Sequence, residues 1–394
     1  MDHVRSAVFR CKDYLWVFLF LIIFLNGFES GGYQASLLSI GQSYDLSITS
    51  MGFYAALELL ADMLAPLLLG RWADRVGKGK SITIMLSLQI ISCLGLLLAP
   101  SSVFFLAGMF LLGISTSALQ FIAIAALADA YPVSKDRRIG YLTSMYAFGA
   151  VVSPLAVSLY LGLGISWKAL FVLLGIGTIA ALAGIRACGL EAREKTPRKR
   201  GVRSAEATFV LAGVLVLCVV MCVYVGFENG FAFFVDTLFQ TELHADTGKL
   251  ALSLYWAAMI PARFLVGRFS KHAYRILITC VIAIPCAAAL IAIANNSMLV
   301  LLLCIPLGLA SGAVYPCSLS LSLPFAGNKT ATATGMITTA TGIGGFAFTA
   351  FTGFLADQFG MRIALVALAA FFIIPLILLL RMRESFQMRE VATD

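Results

Sequence analysis

Two glutamates stand in stretches of sequence that are otherwise almost entirely apolar. Glu29 lies in N-G-F-E-S-G-G, which follows the run L-W-V-F-L-F-L-I-I-F-L of residues 15–25, and Glu228 lies in V-G-F-E-N-G. A charge at mid-bilayer costs about 2.5–3.5 kcal/mol on insertion scales, so such residues are kept where they pair or work. Because a low-dielectric surrounding disfavours the charged form of a carboxyl, both are candidates to bind and release a proton. Glu29 is favoured, because its helix has the fuller polar face; the alternative is a structural carboxyl hydrogen-bonded within a helix pair.

A further acidic pair and one cation also fall inside apolar runs. Glu58 and Asp62 are four residues apart, which places them on one face of a helix. Like charges at that distance disfavour double ionisation, so the pair could share a proton; otherwise it is a counter-charge for basic residues. Arg263 either extends to the membrane surface or pairs with an acid. Asp129 and Asp236 lie near the ends of apolar runs, and we expect both to be wetted and outside the site.

The composition is typical of a membrane protein. Of the 394 residues, 60% are hydrophobic and 12% are charged, whereas soluble domains carry about 25% charged residues. The nine cysteines lie mostly in apolar runs and are expected to act as small hydrophobic residues, and the three histidines form no zinc-binding pattern. We therefore expect no metal and no cofactor. No small-residue cleavage site follows the first apolar run, so a removable signal peptide is not expected.

Runs of about 20 apolar residues predict membrane-spanning helices. Twelve such runs predict an all-α polytopic membrane protein. The predicted spans are residues 14–40, 48–70, 81–99, 102–130, 139–162, 167–186, 208–238, 247–267, 274–294, 297–323, 329–354 and 361–381.

The positions of the basic residues predict the orientation in the membrane. With the N-terminus in the cytoplasm, 24 of the 28 lysines and arginines fall in cytoplasmic segments and only Lys168, Lys249 and Arg362 fall in external loops. The positive-inside rule then places both termini in the cytoplasm. The net charge of +8 follows from this topology and requires no nucleic-acid partner.

The sequence also predicts two homologous halves. Glu228 follows Glu29 by 199 positions, the Gly-Arg after the second span recurs 197 positions later, and G-L-A-S-G-A-V-Y follows G-I-S-T-S-A-L-Q by 195. A slowly drifting offset indicates a duplicated unit with small insertions and deletions. We expect six-helix bundles at residues 1–186 and 208–394, joined by a cytoplasmic linker at 187–207, with a binding site between them at the membrane midplane.

The connector after the second span reads G-R-W-A-D-R-V-G-K-G-K. It resembles the signature G-x-x-x-D-R-x-G-R/K-x-x of the major facilitator superfamily, whose members are transporters built from two six-helix bundles. The matching residues are Gly70, Asp74, Arg75, Gly77 and Lys78. In that family the cluster holds the cytoplasmic side closed, so the resemblance implies a gating role for these residues; we place Arg263 in the same group.

Within the superfamily, the second half is most similar to the fucose permease branch of proton-coupled sugar symporters. The similar stretches are C-V-Y-V-G from residue 222, A-R-F-L-V-G-R-F from 262, A-V-Y-P from 313 and G-F-L-A-D-Q-F-G from 353. This resemblance implies proton symport of a sugar or related polar solute. A proton-coupled exporter of lipophilic or cationic compounds would explain the acids and aromatic residues equally well, and uniport remains open if both glutamates are structural. A receptor or scaffold that reuses the fold is a further alternative, against which the gating residues and the intramembrane acids argue. An enzyme is not expected, because the sequence shows neither a nucleophile–base pair nor a set of metal ligands.

The family lines its central cavity with helices one, four, seven and ten, and all four carry polar side chains here. The predicted substrate-binding set is Asn26, Glu29, Tyr33, Thr116, Gln120, Tyr224, Glu228, Ser311 and Tyr315. Aromatic rings with amides and hydroxyls suit a hydroxylated solute. We expect a monomeric transporter of a bacterial inner membrane, whose partners are a small-molecule substrate, protons and the lipid bilayer.

Overall fold

The computed structural model describes residues 14–131, 135–189, 209–268, 272–326 and 330–391, nearly all of them helical. The helices are α1 Leu15–Ser43, α2 Ile48–Val76, α3 Lys78–Leu98, α4 Ser102–Ala130, α5 Lys135–Gly162, α6 Ala169–Cys188, α7 Leu211–Thr241, α8 Gly248–Arg268, α9 Ala273–Ile293, α10 Ser297–Ala326, α11 Thr330–Phe359, α12 Met361–Ala370, α13 Ile373–Arg381 and α14 Arg383–Val391. Residues 190–207 of the predicted linker lie outside the described residues.

Twelve segments of the described chain are long and apolar enough to cross a membrane, and the last of them comprises α12 and α13. The predicted all-α architecture with twelve spans is therefore confirmed. Several helices run beyond the apolar residues that predicted them; α2, for example, continues to Val76 rather than residue 70. Gly77, with φ of 99°, ends that helix in a backbone conformation that strongly favours glycine. Pro375 has no N–H to bond the carbonyl of residue 371, which accounts for the break between α12 and α13.

The described chain forms two compact units. The first contains Met1–Ser36 with Leu57–Arg200, and the second contains Leu37–Ala56 with Gly201–Asp394. In the second unit, the start of α2 packs closely on α11. A side-chain carbon at Gly52 would lie 2.8 Å from the Cα of Gly353, and Thr49 donates a hydrogen bond of 2.7 Å to Asp357.

Each unit contains two close helix crossings at which a glycine lies against the backbone of the neighbouring helix. In the first unit, a side chain at Gly149 of α5 would collide with the backbone of α1, and one at Gly113 of α4 would lie 3.0 Å from the carbonyl oxygen of Glu58. In the second unit, Gly344 of α11 stands in the same relation to α7, and Gly308 of α10 to the carbonyl oxygen of Tyr255. Both glycine pairs are 195 positions apart. The two units thus repeat the same internal packing at the offset that the sequence shows.

Candidate functional site

Three of the four predicted acids lie together in the first unit. Glu29 of α1 interacts electrostatically with Asp62 of α2, and Glu58 of α2 interacts with both. Glu29 and Glu58 are 2% and 3% exposed, and Asp62 is half-buried. The sequence treats Glu29 and the Glu58–Asp62 pair as separate candidates, whereas the fold joins them into one cluster. We call these three residues the acid cluster.

Small residues and hydroxyls position the helix that carries two of these acids. Gly113 lets α4 approach the backbone of α2 at Glu58. One turn further along α4, the hydroxyl of Ser117 donates a hydrogen bond of 2.8 Å to the backbone carbonyl of Asp62. These two contacts with α4 fix the rotation of α2 about its axis, and therefore which of its faces points into the unit. Because Glu58 and Asp62 are one turn apart, both side chains share that face.

Other helices of the first unit surround the acid cluster with neutral groups. Tyr146 of α5 interacts with all three acids and hydrogen-bonds to Ser30, while Cys93 of α3 interacts with Glu29. No basic side chain within the described residues is among the charges that act on the three acids. The acid cluster therefore has no compensating cation in the part of the first unit that the structure describes.

Hydrogen bonding around the acid cluster is also incomplete. Oε1 of Glu29, Oδ1 of Asp62 and Oδ1 of Asn26 are buried without a hydrogen-bond partner among the described residues. The amide of Asn26 is nevertheless anchored, because its Nδ2 donates to the carbonyl of Thr116 at 2.7 Å. An unpaired, buried carboxylate is costly, and a proton removes its charge and adds a donor. This arrangement is chemically suited to holding protons.

The fourth acid, Glu228, has a different environment in the second unit. Tyr224, one turn earlier on α7, donates a hydrogen bond to it, and the charge of Arg263 on α8 acts on it. Arg263 also acts on Tyr255 and Tyr315. Of the two alternatives for Arg263, the structure supports an interaction with an acid, although the side chain is half-buried. We call Tyr224, Glu228, Tyr255 and Arg263, together with Ser311 and Tyr315, the arginine site.

The internal repeat relates the two sets of residues. Glu58 and Tyr255 are 197 positions apart, and their carbonyls face equivalent glycines of α4 and α10. By the same offset, Met259 corresponds to Asp62, and its carbonyl faces Gly312 of α10. The second unit has therefore kept one acid of three. Sequence reasoning missed Tyr255, although extending the Gly-Arg offset along the second helix would have found it.

The other predicted substrate-binding residues differ in exposure and in the contacts that they make. Gln120 is exposed, and Tyr315 is 39% exposed. Tyr33 is fully buried, with its ring centroid 6.4 Å from that of Phe105. The hydroxyl of Thr116 donates within its own helix, to Leu112 and Gly113 at 3.1 Å. Asn26, Thr116 and Glu29 lie in the first unit, and Tyr224, Glu228, Ser311 and Tyr315 in the second.

The residues of the predicted gating motif lie at the junction of α2 and α3. Lys78 forms an ion pair with Asp129 at the end of α4 and donates to the carbonyl of Ala125 at 3.4 Å. The motif thus contacts α4, through an aspartate that the sequence leaves outside the site. Asp74 and Arg75 are exposed.

The expectation that Asp236 is wetted is wrong. Its side chain is 3% exposed, and Oδ2 lies 2.7 Å from Nζ of Lys249, itself 8% exposed. Its position near the end of α7 suggested contact with water, but the first turn of α8 covers it. Lys249 is thus a buried partner rather than a free loop cation. No group of three or more His, Cys, Asp or Glu residues in the described chain has the geometry of a metal site.

Comparisons with known proteins agree with the twelve-helix fold. The Major Facilitator Superfamily profile matches residues 19–349. A chloramphenicol resistance protein of Pseudomonas aeruginosa is 26% identical over 205 residues, which are 52% of this chain and 48% of that protein. The chain thus aligns with about half the length of that relative.

Solved structures show the same fold at low sequence identity. A bacterial homologue of the human lysosomal transporter Spinster superposes with a TM-score of 0.79 at 16% identity, covering 96% of this chain and 98% of the other. The peptide transporter POT gives 0.76 at 14% identity, covering 95% of each chain. The human organic anion transporter TETRAN gives 0.67 at 16% identity, covering 93% of this chain and 99% of that one.

Proposed function

Because the chain belongs to the major facilitator superfamily and is a multi-pass membrane protein, we propose that it is a proton-coupled secondary transporter that works by alternating access. The acid cluster is the observation that carries this proposal. Two of its three carboxyls are almost fully buried, and no described cation acts on them. Protons are the simplest species that can neutralise such a cluster.

The cluster is expected to bind and release protons in response to access of water. While it is dry, three ionised carboxyls would repel one another in a low-dielectric interior, so one or more protons stay bound. When water reaches the cluster, solvation of the carboxylates lowers that cost and a proton can leave. Asn26 and Tyr146 are neutral hydrogen-bonding groups close by, suited to both forms of the acids.

The favoured cargo is a small polar solute, such as a sugar or a related compound, moved by proton symport. The resemblance of the second half to the fucose permease branch supports this, as do the hydroxyls of Tyr224, Tyr255 and Ser311 in the arginine site. We further propose that the protein works as a monomer in a bacterial inner membrane, with both termini in the cytoplasm and the motif from Gly70 to Lys78 as a gate.

Export coupled to proton entry is the second candidate. The similarity to a chloramphenicol resistance protein over half of the chain favours it. An exporter would use the same acid cluster with the opposite relation between proton and solute, because the solute would bind when protons leave. The two candidates therefore differ in the sign of the pH effect on binding.

Currents recorded from proteoliposomes on a solid-supported membrane test this function. Sugars, sugar acids, amino sugars and lipophilic cations are applied in turn to wild type and to Glu29→Gln, Glu58→Gln and Asp62→Asn. Glu384→Gln, at an exposed position, is the matched control. We expect one solute class to carry a current that the three cluster variants lose and the control keeps. Solute uptake in cluster variants that follows the proton gradient as steeply as in wild type would overturn proton coupling through this cluster.

A further inference from the structure

The second unit places a cation inside a segment that crosses the membrane. Arg263 lies in the span Gly248–Val266 and is half-buried. Its charge acts on Tyr224, Glu228, Tyr255 and Tyr315. Cations within membrane spans are costly and mark functional positions. In the arginine site the charges of Glu228 and Arg263 can cancel, whereas no described cation acts on the acid cluster.

The internal repeat shows that this cation distinguishes the second unit. At the offset of 197, the residue corresponding to Arg263 is Pro66, while Glu58 and Asp62 correspond to Tyr255 and Met259. The positions of two acids in the first unit are thus occupied by tyrosine and methionine in the second. One turn further along the helix, the second unit has Arg263 in place of a proline. With all acids and bases ionised, these three positions carry a net charge of −2 in the first unit and +1 in the second.

We infer that the arginine site recognises an anionic group of the solute, specifically a carboxylate, and that the anion binds together with a proton taken up by Glu228. Arg263 is the specificity-determining residue. The inference rests on the proposed transport function only in that the bound anion is the cargo. It names a class within the polar solutes proposed above, such as a sugar acid.

The donors at the site suit a carboxylate. A guanidinium offers five N–H donors in a planar fork that matches two carboxylate oxygens, and charge-assisted hydrogen bonds of this kind are stronger than neutral ones. The hydroxyls of Tyr255 and Ser311 are neighbours, and both are buried without a hydrogen-bond partner among the described residues. Tyr315 lies within range of the same guanidinium. These hydroxyls can donate to an anion that Arg263 holds.

Charge balance then links the anion to a proton. Arg263 can neutralise either ionised Glu228 or a bound carboxylate, and holding both would leave one uncompensated negative charge in a half-buried site. Protonation of Glu228 removes that charge: the proton comes from water, and the anion replaces the carboxylate as the partner of Arg263. The groups that face Glu228 are Tyr224 on its own helix and Arg263 and Tyr255 on α8. Tyr224 can donate to the ionised acid or accept from the protonated one.

Binding to the full-length protein in detergent tests the inference without any ion gradient. The probes are glucuronate, glucose and glucosamine, which share a ring and differ in charge. Dissociation constants are measured by calorimetry between about pH 6 and about pH 8, a range in which a perturbed carboxyl can titrate. The variants are Arg263→Gln, Arg263→Lys and Glu228→Gln, with Arg275→Gln at an exposed position of α9 as the matched control.

We expect wild type and the control to prefer glucuronate, with an affinity that falls by up to about tenfold per pH unit as pH rises, because one proton binds with the anion. Arg263→Gln should lose about tenfold to a hundredfold in glucuronate affinity, the range for a charged hydrogen bond, while Arg263→Lys retains part of it. Glu228→Gln should bind at least as tightly as wild type, and its affinity should depend less steeply on pH, because the proton that Glu228 takes up is lost.

Three results would overturn the inference: no preference for glucuronate among the probes, glucuronate binding that Arg263→Gln leaves unchanged, or a pH dependence as steep in Glu228→Gln as in wild type. Thermal unfolding and size-exclusion profiles of each variant show whether a loss of binding reflects misfolding, and Arg263→Lys supplies the test if Arg263→Gln does not fold. Failure of proton coupling through the acid cluster would appear in the transport currents of the cluster variants, in which Arg263 and Glu228 are unchanged. The two proposals therefore fail separately.

Discussion

The buried ion pair between Lys249 and Asp236 yields the most quantitative prediction. The Nζ–Oδ2 distance is 2.7 Å, and the two side chains are 8% and 3% exposed. Gln240 donates to the same carboxylate oxygen at 3.3 Å, while Oδ1 has no partner among the described residues. Lys249→Met would leave a buried carboxylate with a single amide donor. Removing one partner of a buried pair costs about 3–5 kcal/mol, and we expect a loss in that range.

The double variant Asp236→Asn/Lys249→Met separates the cost of burial from that of the pair. It leaves no buried charge, so we expect it to regain at least half of what Lys249→Met loses. The exposed pair formed by Lys78 with Asp129, whose side chain is 63% exposed, supplies the control. Lys78→Met should cost no more than about 1 kcal/mol, because such pairs are well solvated.

Reversible unfolding in mixed detergent micelles measures all of these changes as free energies of unfolding. The single variants Lys249→Met and Asp236→Asn, the double variant and wild type form a double-mutant cycle. A loss below about 1 kcal/mol in Lys249→Met would show that water reaches Asp236. If Asp236→Asn/Lys249→Met were as unstable as Lys249→Met, the lost hydrogen bonds, and not the unpaired charge of Asp236, would determine the loss of stability. Either result would refute the reasoning.

Further predictions concern helix packing, a helix terminus and the acid cluster. Gly344→Ala places a methyl group against the backbone of Cys222 and should cost about 1–3 kcal/mol in the same unfolding assay. The control Gly70→Ala has no atom within 4 Å of the added carbon and should be close to neutral. Equal losses in the two variants would contradict the close packing of α11 on α7. Glu242→Gln weakens an ion pair of 3.0 Å to Arg362 and a hydrogen bond from the first backbone N–H of α12. We expect a loss of about 0.5–2 kcal/mol and faster hydrogen exchange in the first turn of α12, and unchanged exchange would count against the cap. Glu58→Gln should stabilise the protein at alkaline pH relative to wild type, because it removes one of three like charges; unfolding curves at several pH values would show the opposite sign if Glu58 were stabilised as an anion.

The sequence predicts the helices much better than it predicts their contacts. Apolar runs define the spans because the bilayer requires about 20 such residues, but helix ends are decided by single residues such as Gly77, whose positive φ ends α2. That Glu29 and the Glu58–Asp62 pair form one cluster could not be predicted, because spacing along one helix does not say which neighbour it faces. Asp236 was assigned wrongly for the same reason, since Lys249 comes from the next helix.

The internal repeat could have provided part of the missing information. Its offsets pair Glu58 with Tyr255, and the glycine contacts of Gly113 and Gly308 verify that pairing. Gln120, in contrast, is exposed, and its binding role stays a prediction, because exposure alone does not say whether a side chain lines a cavity or lies on an outer surface.

The central claim is that the carboxyls of Glu29, Glu58 and Asp62 hold protons within the first unit. Infrared difference spectroscopy of the protein in lipid, titrated from neutral to alkaline pH, detects the carbonyl stretch of protonated carboxyls without any substrate. We predict a band at neutral pH that disappears on alkalinisation, is reduced in each single variant and is absent from Glu29→Gln/Glu58→Gln/Asp62→Asn, while Glu384→Gln keeps it. A band of equal intensity in wild type and the triple variant, or none in wild type, would contradict the claim.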